Sequence, residues 1–241
     1  MAVMEAYKII QKDVIRKHEE IEQPTFSSKM KPFPLKQEYS SVIPLKLFTN
    51  WHTKKLPPKM QKNWDSIKRE NPEFEHYLYD DSDCRNFIKE HFPEEVSKTY
   101  SKLVPQAYKS DLWRYCIMYI CGGIYMDIKL EMVNGFKMIH LTEGEQWVLD
   151  SNPKDVCVGF LICKPGNDIF LKCINRIVEN CENNFYGLGP LDPTGPALLG
   201  SFFSNKEKKN MEIQLRIIDW DKNTIGCLYN NIYICLYPNV S

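Results

Sequence analysis

Between Pro105 and Glu131 the chain reads PQAYKSDLWRYCIMYICGGIYMDIKLE, which sets Asp111, Arg114 and Asp127 among apolar and aromatic neighbours. Charges in such surroundings either pair with each other or hold a polar ligand, because a lone charge taken out of water is costly. Ala107, Asp111, Arg114 and Met118 follow 3/4 spacing, so one face of a predicted helix carries an acid and a guanidinium together. On a solvated helix that pair would contribute only a few tenths of a kcal/mol. Here Leu112, Trp113, Tyr115 and Ile117 surround it, and a hydroxyl-rich sugar ring is one partner able to satisfy both groups. Gly122-Gly123 stops the helix, and Ile124, Tyr125 and Met126 suit a buried strand that delivers Asp127 at its carboxyl end. Open α/β sheets place their ligand crevices at that end of a strand.

The elements that must position this floor alternate along the chain. Val42–Asn50 reads as a first strand, followed by Trp51, and Met60, Trp64 and Ile67 mark a helix after Pro57-Pro58. Phe74–Tyr79 is a second strand, ending in an acidic turn where Asp81 or Ser82 either caps the next helix or faces a ligand. Gln146–Asp150 and Val156–Cys163 read as buried strands, and Asp168–Asn180 as a helix with Phe170, Cys173, Ile174 and Ile177 inward. The glycine- and proline-rich stretch Asn183–Pro196 is a shaped loop leading into a helix start at Thr194-Gly195-Pro196. It offers either caps only or free N–H groups for an anion. Glu212–Asp219, Gly226–Tyr229 and Ile232–Tyr237 look like a strand and a hairpin around Asn230-Asn231, and Asp219-Trp220-Asp221 reads either as a second D-x-D or, since a lone D-x-D is common by chance, as an edge turn. Met1–Glu22 is a charged helical arm striped by Ile9, Ile10, Val14 and Ile15, and Gln23–Tyr39 is a proline- and lysine-rich linker. The main domain is therefore expected over residues 40–241, with residues 1–39 as an appendage.

Composition narrows the function classes. A chain of 241 residues buries one sizeable core. Lys plus Arg and Asp plus Glu balance at 31 each, which argues against nucleic acid or an anionic membrane as the bulk-charge partner. The nine cysteines show no CxxC spacing, so structural thiols are expected rather than a disulfide framework or a thiolate metal site. Charges interrupt the early apolar stretch, and no window holds the roughly 18 apolar residues of a membrane span. These features predict a cytoplasmic or membrane-peripheral chain without signal peptide or anchor.

The ordered set Ala107, Ser110, Asp111, Arg114, Gly122, Gly123, Tyr125, Asp127 spans 21 positions. It resembles the DXD-containing glycosyltransferases of the Och1-like, family 32 type, whose signature is shared with the clostridial glucosylating toxins. Pro44, Lys46 and Trp51 match the family's first strand, although Phe48 stands where histidine is usual, and Thr194-Gly195-Pro196 matches its T-G-P. The resemblance implies a GT-A-like single domain, α/β with a mostly parallel central sheet. It also implies a nucleotide diphosphate sugar donor (GDP- or UDP-hexose) and a glycan, lipid or protein hydroxyl as acceptor. On this reading Asp111 and Arg114 hold the donor sugar and Asp127 the ribose or a divalent cation, with Ser110 and Tyr125 beside them. Trp51 is the base platform, Asp81 lies near the nucleotide, and Thr194 and Gly195 cover the donor or acceptor. The family's second motif acid is missing, because Lys129 follows Asp127-Ile128. On an extended backbone residues 127, 129 and 131 share one side. Glu131 is therefore expected to join Asp127 around Mn²⁺ or Mg²⁺, or Lys129 to touch the phosphates itself. The expected activity is retaining transfer of mannose, galactose or glucose. The alternatives are an inactive nucleotide-sugar-binding homologue and a nucleotide-sugar hydrolase.

Overall fold

The computed structural model describes residues 26–219 and 224–237. The expected N-terminal arm, together with Trp220 and Asp221, lies outside them. The strands form two sheets. The first has the order β2-β1-β3-β6, formed by β1 (Lys46–Asn50), β2 (Glu75–Tyr79), β3 (Gly123–Met126) and β6 (Phe160–Cys163). β1 is parallel to both β2 and β3, and β6 runs antiparallel to β3. The mostly parallel sheet expected of an α/β domain is present, and an antiparallel strand closes one edge.

The second sheet contains β4 (Glu131–Met132), β5 (Val148–Leu149), β7 (Ile213–Asp219), β8 (Thr224–Tyr229) and β9 (Ile232–Tyr237), in the order β4-β9-β8-β7-β5. The Asn230-Asn231 turn joins β8 to β9, and both of its residues have positive φ, which asparagine tolerates better than most side chains.

Strand alternation divides the core. Leu47, Ile124, Met126 and Ile162 face one cluster with Met60, Trp64 and Ile67 of α1 (Pro58–Glu70). Phe48, Tyr125, Leu161 and Cys163 face the other, packed against α2 (Asp81–His91), α3 (Glu94–Lys102), α4 (Gln106–Cys121) and α5 (Asp168–Glu182). α4 lies deepest. Its residues Asp111 to Met118 are all buried, so it is a helix covered all round rather than amphipathic. Gly122 and Gly123 then turn the chain with φ of +59° and +103°. A Cβ on Gly122 would lie 2.5 Å from Pro165 N, and one on Gly123 2.5 Å from the Lys46 carbonyl oxygen. The double glycine therefore both reverses the chain and lets β3 seat against β1.

Several expectations need correction. The first strand starts at Lys46 rather than Val42, because Val42 and Ile43 donate to the Thr142 carbonyl and Lys46 turns back onto Pro44. The strands expected over 146–150 and 156–163 shrink to Val148–Leu149 and Phe160–Cys163, since the Val156–Gly159 segment is used elsewhere. Neither Asp81 nor Ser82 caps α2. Asp80 does, accepting from the Ser82 and Asp83 amides while Asp83 reciprocates. The proline- and lysine-rich stretch is more than a linker: Phe33 is buried, with its ring edge-on to Phe136 at 4.7 Å. Asn167 caps α5 through the Ile169 amide. The nine cysteines are free thiols. Among the described residues no helix is long and apolar enough to cross a membrane.

Candidate active site

A cavity of about 390 Å³ opens at the carboxyl ends of β1 and β3. The β1 end supplies Asn50 and Trp51, the first turns of α4 supply Gln106 and Ser110, and the turn after β3 supplies Asp127 and Lys129. Arg114 reaches it from the next turn of α4.

Arg114 is held mainly by neutral acceptors. Its Nη1 donates to the Val158 carbonyl at 2.8 Å, Nη2 to Ser110 Oγ at 3.0 Å and Nε to the Ser110 carbonyl at 3.3 Å. The guanidinium lies over the Tyr125 ring, 4.7 Å from its centroid. The two carboxylates stand slightly further off, Asp111 Oδ1 at 3.6 Å and Asp127 Oδ1 at 3.5 Å from Nη2. The short bonds thus fix the cation, and the acids keep lone pairs for a ligand. Burial works against the charge of Arg114, but Tyr125, Asp127 and Asp111 more than restore it and raise its pKa. Burial pushes the Asp111 carboxyl up, while Arg114 and the Thr194 hydroxyl hold it back.

Asp111 and Asp127 play different parts. The Asp111 side chain is 10% exposed and the Asp127 side chain 33%, so Asp127 is the one a ligand reaches from the cavity. Asp111 accepts from Thr194 Oγ1 at 2.7 Å, and Tyr115 donates to the Thr194 carbonyl at 3.1 Å. Gly195 packs beside them, since a Cβ there would lie 3.4 Å from Asp111 Oδ2. The Thr194-Gly195-Pro196 loop therefore reaches the site through a side chain. The helix it opens, α6 (Pro196–Gly200), is a five-residue turn starting on proline.

Asp127 Oδ1 accepts from the Tyr125 hydroxyl at 2.8 Å, and its backbone N–H donates to the Gly159 carbonyl at 2.8 Å. The same hydroxyl lies 2.9 Å from Asn50 Oδ1, and Asn50 also bonds Ser110. Asn50, Ser110, Tyr125 and Asp127 thereby form one connected polar floor above a buried Tyr125 ring. Trp51 lines the cavity with its indole N–H buried and without a protein acceptor, and Lys129 Nζ stands 6.0 Å from its ring centroid.

Two expected site residues fall elsewhere. Asp81 does not line the cavity; it accepts from Gln106 Nε2 at 2.6 Å, one residue behind the wall. Glu131 is not beside Asp127, because Leu130 N–H closes a turn onto the Asp127 carbonyl at 2.9 Å and Glu131 then enters the second sheet opposite Leu236. The turn breaks the extended run on which the shared side depended. Among the described residues, Asp127 is the one carboxylate lining the cavity, and no group of three metal-ligating side chains occurs. A divalent ion at this place would rest on Asp127 and on the diphosphate of a bound donor rather than on a cage of protein ligands.

The sequence reading missed Asn50, the Val158 and Gly159 carbonyls, and Tyr237, whose hydroxyl lies 3.3 Å from Asp127 Oδ2. Asn50 carried a signal, as the polar residue closing an apolar strand. The others carried none.

Behind the Val156–Gly159 wall, Asp150 donates its backbone N–H to the Asp155 carbonyl, and Asp155 accepts from Asn152 Nδ2 at 2.8 Å. Burial first, and then the nearby Asp150, push the Asp155 carboxyl up to about 6. A folded-state value above the ordinary 3.8 means that the stability associated with neutral Asp155 is fully present below that value and lost as pH rises through about 6. Thermal unfolding followed from pH 7 to pH 4 should therefore show a stabilising acid-side contribution in the wild type that Asp155→Asn flattens. An unchanged profile in the variant would contradict this assignment.

Residues 57–146 match the family model described as the glycosyltransferase sugar-binding region containing a DXD motif. Inositol phosphoceramide mannosyltransferase 3 of Schizosaccharomyces pombe is 25% identical over 166 residues, which is 68% of this chain and 46% of that protein. The initiation-specific alpha-1,6-mannosyltransferase of Candida albicans is 27% identical over 118 residues, 46% of this chain and 29% of that protein. The chain thus spans less than half the length of these relatives. The PaToxG glycosyltransferase structure superposes with a TM-score of 0.53 at 18% identity, covering 68% of this chain and 70% of that one, and so shares the fold.

Proposed function

From the premise that this chain carries the sugar-binding region of the DXD glycosyltransferases and has mannosyltransferases as homologues, we propose that it transfers a hexose from a nucleotide diphosphate sugar to an acceptor hydroxyl. The observation that carries the reading is the Asp111–Arg114–Asp127 cluster at the strand ends. A guanidinium anchored by backbone, flanked by two acids with free lone pairs, suits the hydroxyls of one sugar ring.

In transfer, the bond from the anomeric carbon to the diphosphate oxygen breaks, the acceptor oxygen bonds that carbon, and the acceptor proton passes to the departing diphosphate. Family resemblance points to retention and to an oxocarbenium-like transition state, with Asp127 beside the developing positive charge. Trp51 lines the cavity and offers its ring to the base. The leaving diphosphate needs a cation. A divalent ion supplies that charge in DXD enzymes, and among the described residues Asp127 is the one cavity carboxylate to help hold it. Lys129 is exposed and lines the cavity, which supports a direct contact of its ammonium with the phosphates. Mannose is the favoured donor sugar, given the relatives, with galactose and glucose next. Glycan, lipid and protein hydroxyls are the acceptor classes to assay.

The test is thermal unfolding with GDP, UDP and their hexoses, with and without Mn²⁺, followed by an assay for sugar released or transferred. A ligand that binds only the folded state raises the midpoint by mass action. A shift with one nucleotide, accompanied by turnover, supports the proposal, and insensitivity of that shift to Mn²⁺ and to EDTA supports Lys129 as the cation. No shift with any nucleotide sugar would sink it. The presence of Lys129 in place of the second acid favours one further reading, a nucleotide-sugar-binding homologue without activity. Stabilisation without turnover of any acceptor would select it.

A further inference from the structure

Tyr237 lies 110 positions from Asp127 in sequence and belongs to the other sheet, yet its hydroxyl points at Asp127 Oδ2 from 3.3 Å. Backbone pairing brings it there. The chain turns directly after Asp127 and enters β4, where Glu131 and Met132 pair with Leu236 and Cys235 of β9. The antiparallel register sets the next residue of β9, Tyr237, against that turn.

The local packing reserves a place for the hydroxyl. A Cβ on Gly159 would lie 2.0 Å from the Tyr237 oxygen and 2.7 Å from Asp127 Oδ2. Glycine at 159 therefore leaves the space through which phenol and carboxylate meet. Burial, and then the nearby Asp127, keep the phenol protonated and thus a donor. Asp127 then receives one phenol on each oxygen, Tyr125 on Oδ1 and Tyr237 on Oδ2.

We propose that Tyr237 is a positioning residue for Asp127, so that the C-terminal hairpin of the second sheet is a working part of the active site. Two donors on opposite oxygens fix the rotation of a carboxylate about its Cβ–Cγ bond, which one donor alone leaves free. The catalytic consequence rests on the glycosyltransferase reading, whereas the contact does not.

The experiment is a double-mutant cycle with Tyr237→Phe, which removes only the hydroxyl, and Asp127→Ala, read first by thermal unfolding. Tyr237→Phe should lower the midpoint when Asp127 is present and leave it unchanged in the Asp127→Ala background. An equal drop in both backgrounds would mean that Tyr237 merely packs, and would overturn the proposal whatever the chain catalyses. In the transfer assay Tyr237→Phe should reduce kcat roughly tenfold, as for a lost hydrogen bond to a charged group, with the donor KM little changed. A coupled stability effect with kcat untouched would overturn the positioning role. Absence of turnover in the wild type would count against the proposed function alone, since the unfolding cycle still decides the contact.

Discussion

Asparagine at position 127 should lower sugar transfer by about a hundred- to a thousandfold, the scale seen when one preorganised electrostatic contact to a transition state is removed. The same change should leave the fold in place. Arg114 keeps its bonds to Val158 and Ser110 and its neighbour Asp111, so no buried charge loses its last partner. Asparagine also still offers Tyr125 an acceptor. The unfolding midpoint should therefore move by less than about 4 °C, equivalent to 1–2 kcal/mol in a chain of this size. Steady-state kinetics and thermal unfolding of one preparation check both halves. Full activity in Asp127→Asn would place the reacting centre elsewhere.

Removing the guanidinium should instead act on the fold. Arg114→Ala leaves Asp111 buried among Leu112, Tyr115 and the Thr194 loop with only a hydroxyl for company, and Asp127 close by as a like charge. Breaking a buried ion pair from one side costs about 3–5 kcal/mol, or roughly 10 °C in midpoint for a domain of this length. Part of that loss should be recovered on acidification. Burial already pushes the Asp111 carboxyl up, and Arg114 is a main influence holding it down, so without the arginine a proton neutralises Asp111 more readily. The deficit of Arg114→Ala against wild type should be smaller at pH 5 than at pH 7. Arg114→Lys should restore part of the stability and little of the transfer. A single ammonium cannot reach Val158, Ser110 and both acids at once. A wild-type midpoint in Arg114→Ala would show that the cluster is not buried as a unit.

Much of this was legible in the chain. The 3/4 spacing of Asp111 and Arg114 on an apolar helix, the Gly122-Gly123 break and the short strand before Asp127 are local patterns, and a helix or strand repeats them faithfully in space. The alternation of strands and helices likewise carried the α/β class. The errors lie where one backbone interaction overrides a local pattern. The extended reading of 127–131 failed because a Leu130-to-Asp127 hydrogen bond makes a turn, and that turn sends Glu131 to another sheet. The Val156–Cys163 strand shortened where the Val158 carbonyl is taken by the Arg114 side chain and so is lost to a ladder.

The sequence by itself determined which side chains carry charge into the interior, and on which faces of α4 and β3 they stand, because helix and strand periodicity depend only on near neighbours. Only the tertiary structure decided what those charges meet. Thr194 on Asp111, Val158 on Arg114 and Tyr237 on Asp127 come from 83, 44 and 110 residues away. Such contacts follow from sheet register and loop packing, which no local spacing encodes.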